Sequence, residues 1–384
     1  MQRSLLSAPI VYNGLGNPRR DGAVVVQEAL GERTVAAVGD AAELRGAFPD
    51  ANVEEYPFAL SPAPVNAHTH LDLSNMGFNR SSYEEFISAV IAHSRGGARS
   101  LESAELGVAE LLGTGTTVVG DIVTREEVMH FLLGHERLEG VAYWEVLGAD
   151  PNDAERILNE TEARLLEFKK LERSGGMRVG LSPHTPHTVS APLLKGLAQL
   201  ARRLGLPMQI HVAEAAGELA LHRDGSGPLA RAMENWLPPE WKPSGLTPVC
   251  LLESLGVLDA SPTLVHMVHV TDEEIALVQR HACTVVHCPR SNEALGCGRF
   301  PWERYARQGV TVALGTDSRG SSPTLSVEDE VYAALEQHGE RAGAQALVRA
   351  AVKGGYRALG LHPPRFVRGD DAGGIHRWTG PGRQ

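Results

Sequence analysis

Two histidines stand two residues apart in Asn66-Ala-His68-Thr-His70, where an apolar run ends. If that run is a strand, its side chains alternate between faces, so both imidazoles point the same way, about 6–7 Å apart, and can share a metal ion. A bare pair of this kind is explained as well by polar residues on a strand's wet face, so it needs company. Further along stand His184 and His187, His211 followed three residues later by Glu214, then His266, His287 and Asp317. Three imidazoles and one carboxylate, with room left for water, suit Zn²⁺, which lowers the pKa of bound water to about 7. Fe²⁺ accepts the same donors.

To act together these residues must be carried to one place. Eight apolar runs read as strands, at 65–70, 116–122, 141–147, 177–182, 207–212, 263–268, 283–287 and 311–315. Amphipathic stretches at 101–112, 153–172, 191–204, 271–281 and 302–308 read as helices between them. Two carry start signals: Ser190 before Ala191-Pro192, and the capping box Thr271-Asp-Glu-Glu274. The alternation predicts an α/β fold, a (β/α)8 TIM barrel, whose active site lies at the carboxyl ends of the strands. Six of the eight strands end there in a histidine or aspartate: His68 and His70, His184, His211, His266, His287, and Asp317. Any one of them alone is more often a satisfied core or surface residue; together, at matching strand ends, they mark a site.

Residues 1–59 form short β-branched runs broken by Gly14, Gly16, Asn17 and Pro18, the first part of a small β domain. The two glycines are no dinucleotide loop, because Asn17-Pro-Arg-Arg20 follows where a helix should open. The barrel is expected over 60–354, with 224–248, rich in Gly and Pro and carrying Trp236 and Trp241, as a loop insertion over its mouth. The segment 355–384 is turn-rich from Phe366 through Gly380-Pro-Gly and can return to the first, completing a small β-sandwich domain.

A chain of 384 residues, 42% hydrophobic and 22% charged, can bury a large core and is not extensively disordered. Its net charge of −11 disfavours a general nucleic-acid binder. The apolar run at the N-terminus is too short for a signal peptide, and no stretch approaches the ~18 apolar residues of a membrane span, so a cytoplasmic protein is the default. The four cysteines form no C-x-x-C pair and read as reduced thiols, Cys288 as a packed neighbour of His287 rather than a co-ligand. Neither the H-x-E with P-C-x-x-C set of base-editing zinc deaminases nor H-E-x-x-H occurs. No surface stripe discloses a homo-oligomer.

In combination, Asn66-Ala-His68-Thr-His70, His211-x-x-Glu214, His266 and Leu314-Gly-Thr-Asp317 resemble the amidohydrolase superfamily, in its branch of metal-dependent cytosine, guanine and adenosine-type deaminases. The likeness covers nearly the whole chain. It implies His68, His70, His211 and Asp317 as ligands of one divalent metal ion, zinc or iron; the lysine of binuclear members is missing from Arg178-Val-Gly-Leu-Ser182. It also implies Glu214 as the proton shuttle, His266 and Asp317 on the attacking water, and His184 and His287 as contacts to a small-molecule substrate. In the implied reaction, metal-bound water attacks an amidine-like carbon while Glu214, its pKa raised by enclosure, protonates the adjacent ring nitrogen and then the departing amine.

Within the branch, Ser182-Pro-His184-Thr-Pro and Gly315-Thr-Asp-Ser318 look most like adenosine-derivative deaminases, those of aminofutalosine, methylthioadenosine and S-adenosylhomocysteine. An aminofutalosine-like substrate ends in a benzoate, for which Arg80, Arg290 and Arg319 are the candidate cations. Two alternatives stand beside this one. The same metal set could hydrolyse another ring substrate, as in chloro-s-triazine or imidazolone hydrolases, or the barrel could be a non-catalytic scaffold, against which the complete residue set argues.

Overall fold

β-Branched runs broken by turn residues build the N-terminal sheet: β1 (Gln2–Val11), β2 (Arg19–Ala29), β3 (Glu32–Asp40), β4 (Asn52–Glu55) and β5 (Ala59–Pro62). These elements come from a computed structural model, which describes residues 2–29 and 31–380. Alternation along the strands gives the sheet two apolar faces. Leu6, Val24, Val26 and Val35 pack on one; Leu5, Ala23 and Val25 meet Leu44 of the helix Ala41–Ala47 on the other.

Eight further strands, nearly continuous in apolar residues, lie buried and parallel, as such composition demands. They are β6 (Val65–Thr69), β7 (Val118–Val123), β8 (Glu139–Val146), β9 (Met177–Pro183), β10 (Gln209–Val212), β11 (Thr263–His266), β12 (Thr284–His287) and β13 (Thr311–Leu314), each within a few residues of its sequence expectation. They form two four-stranded parallel sheets, β6 to β9 and β10 to β13. Single parallel bridges join the sheets at both edges, Leu181 to Met208 and Thr69 to Asp317. At the second, Asp317 donates its backbone N–H to the His68 carbonyl at 3.0 Å. Gly315 permits that approach: a Cβ there would lie 2.8 Å from the His68 Cβ.

The helices packed on these sheets follow the expected pattern. The one over Ala191–Leu204 turns Leu193, Leu194, Leu197 and Leu200 inward, each contributing roughly 1.5–3 kcal/mol by burial, and stops at Gly205 in left-handed conformation. Thr271 and Glu274 form the capping box from both sides, Thr271 Oγ1 accepting from Glu274 N–H and Glu274 from Thr271 N–H. Ser190 departs from expectation: its side chain makes no cap, and only its carbonyl accepts from Leu194 at 2.8 Å.

The tail does return. A last strand, β14 (Ile375–Arg377), pairs antiparallel with β5, giving one six-stranded sheet of order β14-β5-β1-β2-β3, with β4 on β1. The expected sandwich is therefore met, among the described residues, by a single sheet. Trp378, fully buried, fastens it by donating Nε1–H to Ser61 Oγ at 2.8 Å. Pro381 and Gly382 of the predicted terminal turn lie outside the described residues. The stretch 224–248 is more ordered than a plain loop: it holds the helix Gly227–Met233, whose Leu229 and Met233 pack with Tyr83 and Leu295. Among the described residues no helix is long and apolar enough to cross a membrane.

Candidate active site

The strand ends converge as the alternation requires. His68 and His70 leave β6 with ring centroids 4.9 Å apart, and His211 comes from β10 with its ring 4.8 Å from that of His68. Nε2 of His211 is 3.2 Å from Nε2 of both His68 and His70. Asp317 Oδ1 is 3.5 Å from the same two nitrogens of His68 and His70. Backbone strain helps aim these groups: Ala213, His266, Met267 and Asp317 all have positive φ, between 49° and 71°. Such conformations in non-glycine residues each cost on the order of 1–3 kcal/mol and gather at functional sites.

The neighbours decide what the nitrogens can do. His68 donates Nδ1–H to Gln209 Oε1 at 2.6 Å, and His211 donates Nδ1–H to the His184 carbonyl at 3.1 Å. Both tautomers are thereby set so that Nε2 offers a lone pair to the centre. Burial, and then the neighbouring His68, hold the pKa of His70 and of His211 well below the usual histidine value, so a proton does not bridge them at neutral pH. Lone pairs facing one another at 3.2 Å repel unless a cation sits between them. In a tetrahedral shell with bonds of about 2.1 Å, donors stand roughly 3.4 Å apart, and the spacing of this set fits such an ion.

Around these nitrogens stand groups that can hold or move protons. Asp317 Oδ2 accepts from Ser291 Oγ at 2.7 Å and Ser321 Oγ at 3.1 Å. Burial pushes its pKa up, but the surrounding imidazoles of His68, His70 and His266 outweigh burial and hold it well below the usual carboxylate range. Glu214 is driven the other way: burial first, then the carboxylates of Asp317 and Glu218, raise it well above its usual value. Its Oε2 lies 3.4 Å from His266 Nε2, and the Cys297 thiol donates to Oε1 at 3.6 Å. His266 donates Nδ1–H to Asn292 Oδ1 at 2.9 Å, and burial brings its pKa down to about 4. A small cavity of about 60 Å³ is bounded by His70, His211, Glu214, His266 and Asp317.

With this geometry in view, residues 59–364 match the amidohydrolase family. The chain belongs to the amidohydrolase family. The aminodeoxyfutalosine deaminase of Deinococcus radiodurans is 44% identical over 385 positions, covering 97% of this chain and 90% of that one. A 5-methylthioadenosine/S-adenosylhomocysteine deaminase of Carboxydothermus hydrogenoformans is 28% identical, covering 78% and 67%. Among solved structures, the Helicobacter pylori aminofutalosine deaminase shares the fold, with a TM-score of 0.77 at 23% identity over 96% of this chain and 90% of that one. An adenosine deaminase from Xanthomonas campestris with bound zinc gives 0.68 at 25% identity, over 96% and 83%. The resemblance to deaminases read from the motifs is borne out.

The remaining site expectations fall in different places in this amidohydrolase. His184 lines the cavity, its Nδ1 2.8 Å from Thr188 Oγ1. His287 does not: its ring is fully buried, stacked 4.1 Å from Phe300, and its Nδ1 meets Asn292 Nδ2 at 3.4 Å. Asn292 links it to His266. The three expected tail-binding arginines are engaged elsewhere. Arg80 pairs with Glu293 at 3.2 Å in solvent. Arg290 is half-buried against Glu330 at 2.7 Å and Asp329 at 3.2 Å. Arg319 pairs with Glu110 at 2.9 Å and donates to the carbonyls of Ser322 and Pro323. None of the three lines the cavity.

Several residues now at the site were not read from the sequence. Arg99 lines it and grips Asp72 with both Nη2 and Nε, at 2.8 and 3.0 Å, with Glu145 3.9 Å away. The helix Tyr83–Arg95 supplies Tyr83, Phe86, Ile87 and Val90 to the wall. A signal for it was present: Ser82 and Glu85 have capping-box spacing and make both bonds. Glu218 accepts three backbone N–H groups around Glu214, a role that only the folded turn discloses.

Proposed function

We propose that this amidohydrolase is a hydrolytic deaminase of an adenosine-type nucleoside, of the aminodeoxyfutalosine class, working with one divalent ion, zinc or alternatively iron, held by His68, His70, His211 and Asp317. The observation that carries the reading is the placement of a protonatable carboxyl, Glu214, 3.4 Å from His266 and beside a four-donor cluster in one buried cavity. The deaminase relative at 44% identity supports the substrate class.

When bound, the ion supplies Lewis acidity and a water made acidic enough to attack near neutral pH. The chain's own groups do the rest. Asp317 is ionised and His266 is neutral with a free Nε2, since Asn292 holds the proton on Nδ1, so both can accept the proton of the attacking water. Glu214, whose burial makes its carboxyl hold its proton more tightly than usual, donates to the ring nitrogen next to the carbon under attack. As the C–O bond forms and the C–N bond breaks, the proton taken from water passes to the leaving amine and the remaining hydroxyl proton returns to Glu214, so that ammonia departs and the carboxyl is protonated again. His184 contacts the substrate from the cavity wall.

The same reading closes the two parallel sheets into a (β/α)8 barrel over 60–354, which the bridges at both edges support, with 1–59 and 355–384 forming the small β domain, supported by the β5–β14 pairing. It places the enzyme in the cytoplasm, acting on a free small molecule.

Ammonia release by the metal-loaded protein from adenosine, methylthioadenosine, S-adenosylhomocysteine, aminodeoxyfutalosine, guanine and cytosine tests the reading. Turnover of an adenine nucleoside, with guanine and cytosine inert, is expected. No turnover with about one metal per chain would shift the assignment to hydrolysis of another ring substituent.

A further inference from the structure

A line of buried polar groups leads away from the cluster. His266, at the end of β11, donates Nδ1–H to Asn292 Oδ1 at 2.9 Å. Asn292 Nδ2 donates to His287 Nδ1 at 3.4 Å, and His287 Nε2 lies 3.3 Å from His338 Nε2. None of these side chains is more than 2% exposed. The Asn292 amide has no further hydrogen-bond partner among the described residues. His338 is the last residue of the helix Val327–His338, and its Nδ1 is buried without a partner among the described residues.

Filling space is the plain explanation for His287 and His338, which pack on Phe300 and Trp302. It does not explain the successive links, because leucine or phenylalanine fills such a space without the cost of burying an imidazole. The frame that carries the line is also fixed. Gln337 Nε2, next to His338, donates to the Pro289 carbonyl at 3.0 Å, and Arg290 Nε donates to Glu330 at 2.7 Å. The helix bearing His338 is thereby clamped to the helix Pro289–Ala294, which bears Asn292.

The line has a direction. Burial holds both His287 and His338 below the ordinary histidine pKa, so each ring carries one proton, and fixing one nitrogen fixes the other. With Asn292 Nδ2–H on its Nδ1, His287 has its proton on Nε2 and donates it to His338 Nε2, which leaves the proton of His338 on Nδ1. The reversed line has a proton on His338 Nε2, the Asn292 amide turned over, and the proton of His266 on Nε2. A proton there occupies the lone pair that accepts from water. The state of His338 therefore selects between a His266 that can act as a base and one that cannot.

We propose that His338 is a positioning residue: through His287 and Asn292 it keeps the proton of His266 on Nδ1 and leaves Nε2 bare. The inference rests on the deaminase reading above, in which that Nε2 accepts a proton of the attacking water. His338 itself does not line the cavity.

The test uses the full-length, zinc-loaded enzyme labelled with ¹⁵N at histidine. Wild type, His338→Met, His338→Gln, Asn292→Asp and the double variant Asn292→Asp/His338→Met are compared, with His266→Gln to assign the His266 signals. In wild type the His266 proton is found on Nδ1. His338→Met removes the acceptor, so both tautomers of His266 are populated and its two nitrogen signals move toward one another; kcat on an adenine nucleoside falls about tenfold while KM changes by less than about twofold. His338→Gln restores an acceptor and recovers the wild-type spectrum and most of kcat. Asn292→Asp presents acceptor oxygens to both histidines and holds the His266 Nδ1–H whatever stands at 338. In that background His338→Met changes kcat by less than about twofold.

A proton on His266 Nε2 in wild type, or an unchanged spectrum and kcat in His338→Met, overturns the proposal. So does a His338→Met loss of the same size in the Asn292→Asp background, the result that loosened packing gives. The spectra need no turnover: absence of ammonia from every adenine nucleoside overturns the deaminase reading, while the nitrogen signals still decide whether the line acts on His266.

Discussion

The Glu218 carboxylate accepts the backbone N–H of Glu214 at 2.8 Å, together with those of Ala213 at 3.0 Å and Ala215 at 3.3 Å. Ala213 is strained, with φ of 54°, so one buried side chain holds the turn that presents Glu214. Glu218→Gln keeps the shape but replaces an acceptor oxygen with a donor amide, leaving at least one buried N–H unpaired at a cost of about 1–3 kcal/mol. The expected outcome is a fall in kcat of tenfold or so with KM little changed, because Glu214 is misaimed and not removed. Unchanged kcat would show that the turn holds itself.

The same residue gives a pH dependence with a definite sign. Burial pushes the folded-state pKa of Glu218 up to about 7, against three N–H bonds that lower it. A raised acid pKa means the folded state holds the proton more tightly, so this contribution to stability is complete below the unfolded value near 4.5 and is lost as pH rises through about 7. Between these pH values the wild type should lose roughly 1–3 kcal/mol more stability than Glu218→Gln, as read by denaturant melts across the window. Parallel curves for the two proteins would contradict the shift.

Gln209 is predicted to act on metal affinity without touching the ion. Its Oε1 fixes the Nδ1–H tautomer of His68 at 2.6 Å, while its Nε2 donates to the Ala67 carbonyl at 3.0 Å. Gln209→Leu should weaken metal binding about 10–100-fold, measured by competition with a chelator. An unaltered affinity would mean that packing alone orients His68.

Much of this architecture was legible because parallel strands buried on both faces must be continuously apolar, and because strand ends are where a polar residue is conspicuous. His68, His70, His211, His266 and Asp317 were found in this way and do meet. The same cue misled at His287, which ends its strand as His266 does but packs on Phe300; period-two reasoning does not say which polar end is covered by a distant aromatic ring. The helix Tyr83–Arg95 escaped because only Tyr83 in it is buried, while Ile87, Val90 and Ile91 line a cavity. Arginines could not be sorted by sequence at all: Arg290 is matched by Glu330, forty positions away, and β14 finds β5 across most of the chain.

Arg99 and Asp72 couple the stability of the fold to the site. Asp72 is fully buried two residues after His70, accepts two Arg99 nitrogens, and takes a further bond from Thr124 Oγ1 at 2.7 Å. Arg99→Met leaves Asp72 and Glu145 without their cation, and a loss of about 3–5 kcal/mol is expected in urea unfolding. A loss under about 1 kcal/mol would mean that Asp72 finds another partner.

Ammonia and product measured together in ¹⁸O-labelled water, for wild type and Glu214→Gln, test the central claim most directly. The account predicts one ammonia released per product from an adenine nucleoside, one ¹⁸O at the carbon that carried the amine, and a loss of at least about 10³-fold in kcat for Glu214→Gln with metal still bound. Ammonia without label in the product, or a Glu214→Gln variant that turns over at the wild-type rate, would contradict it.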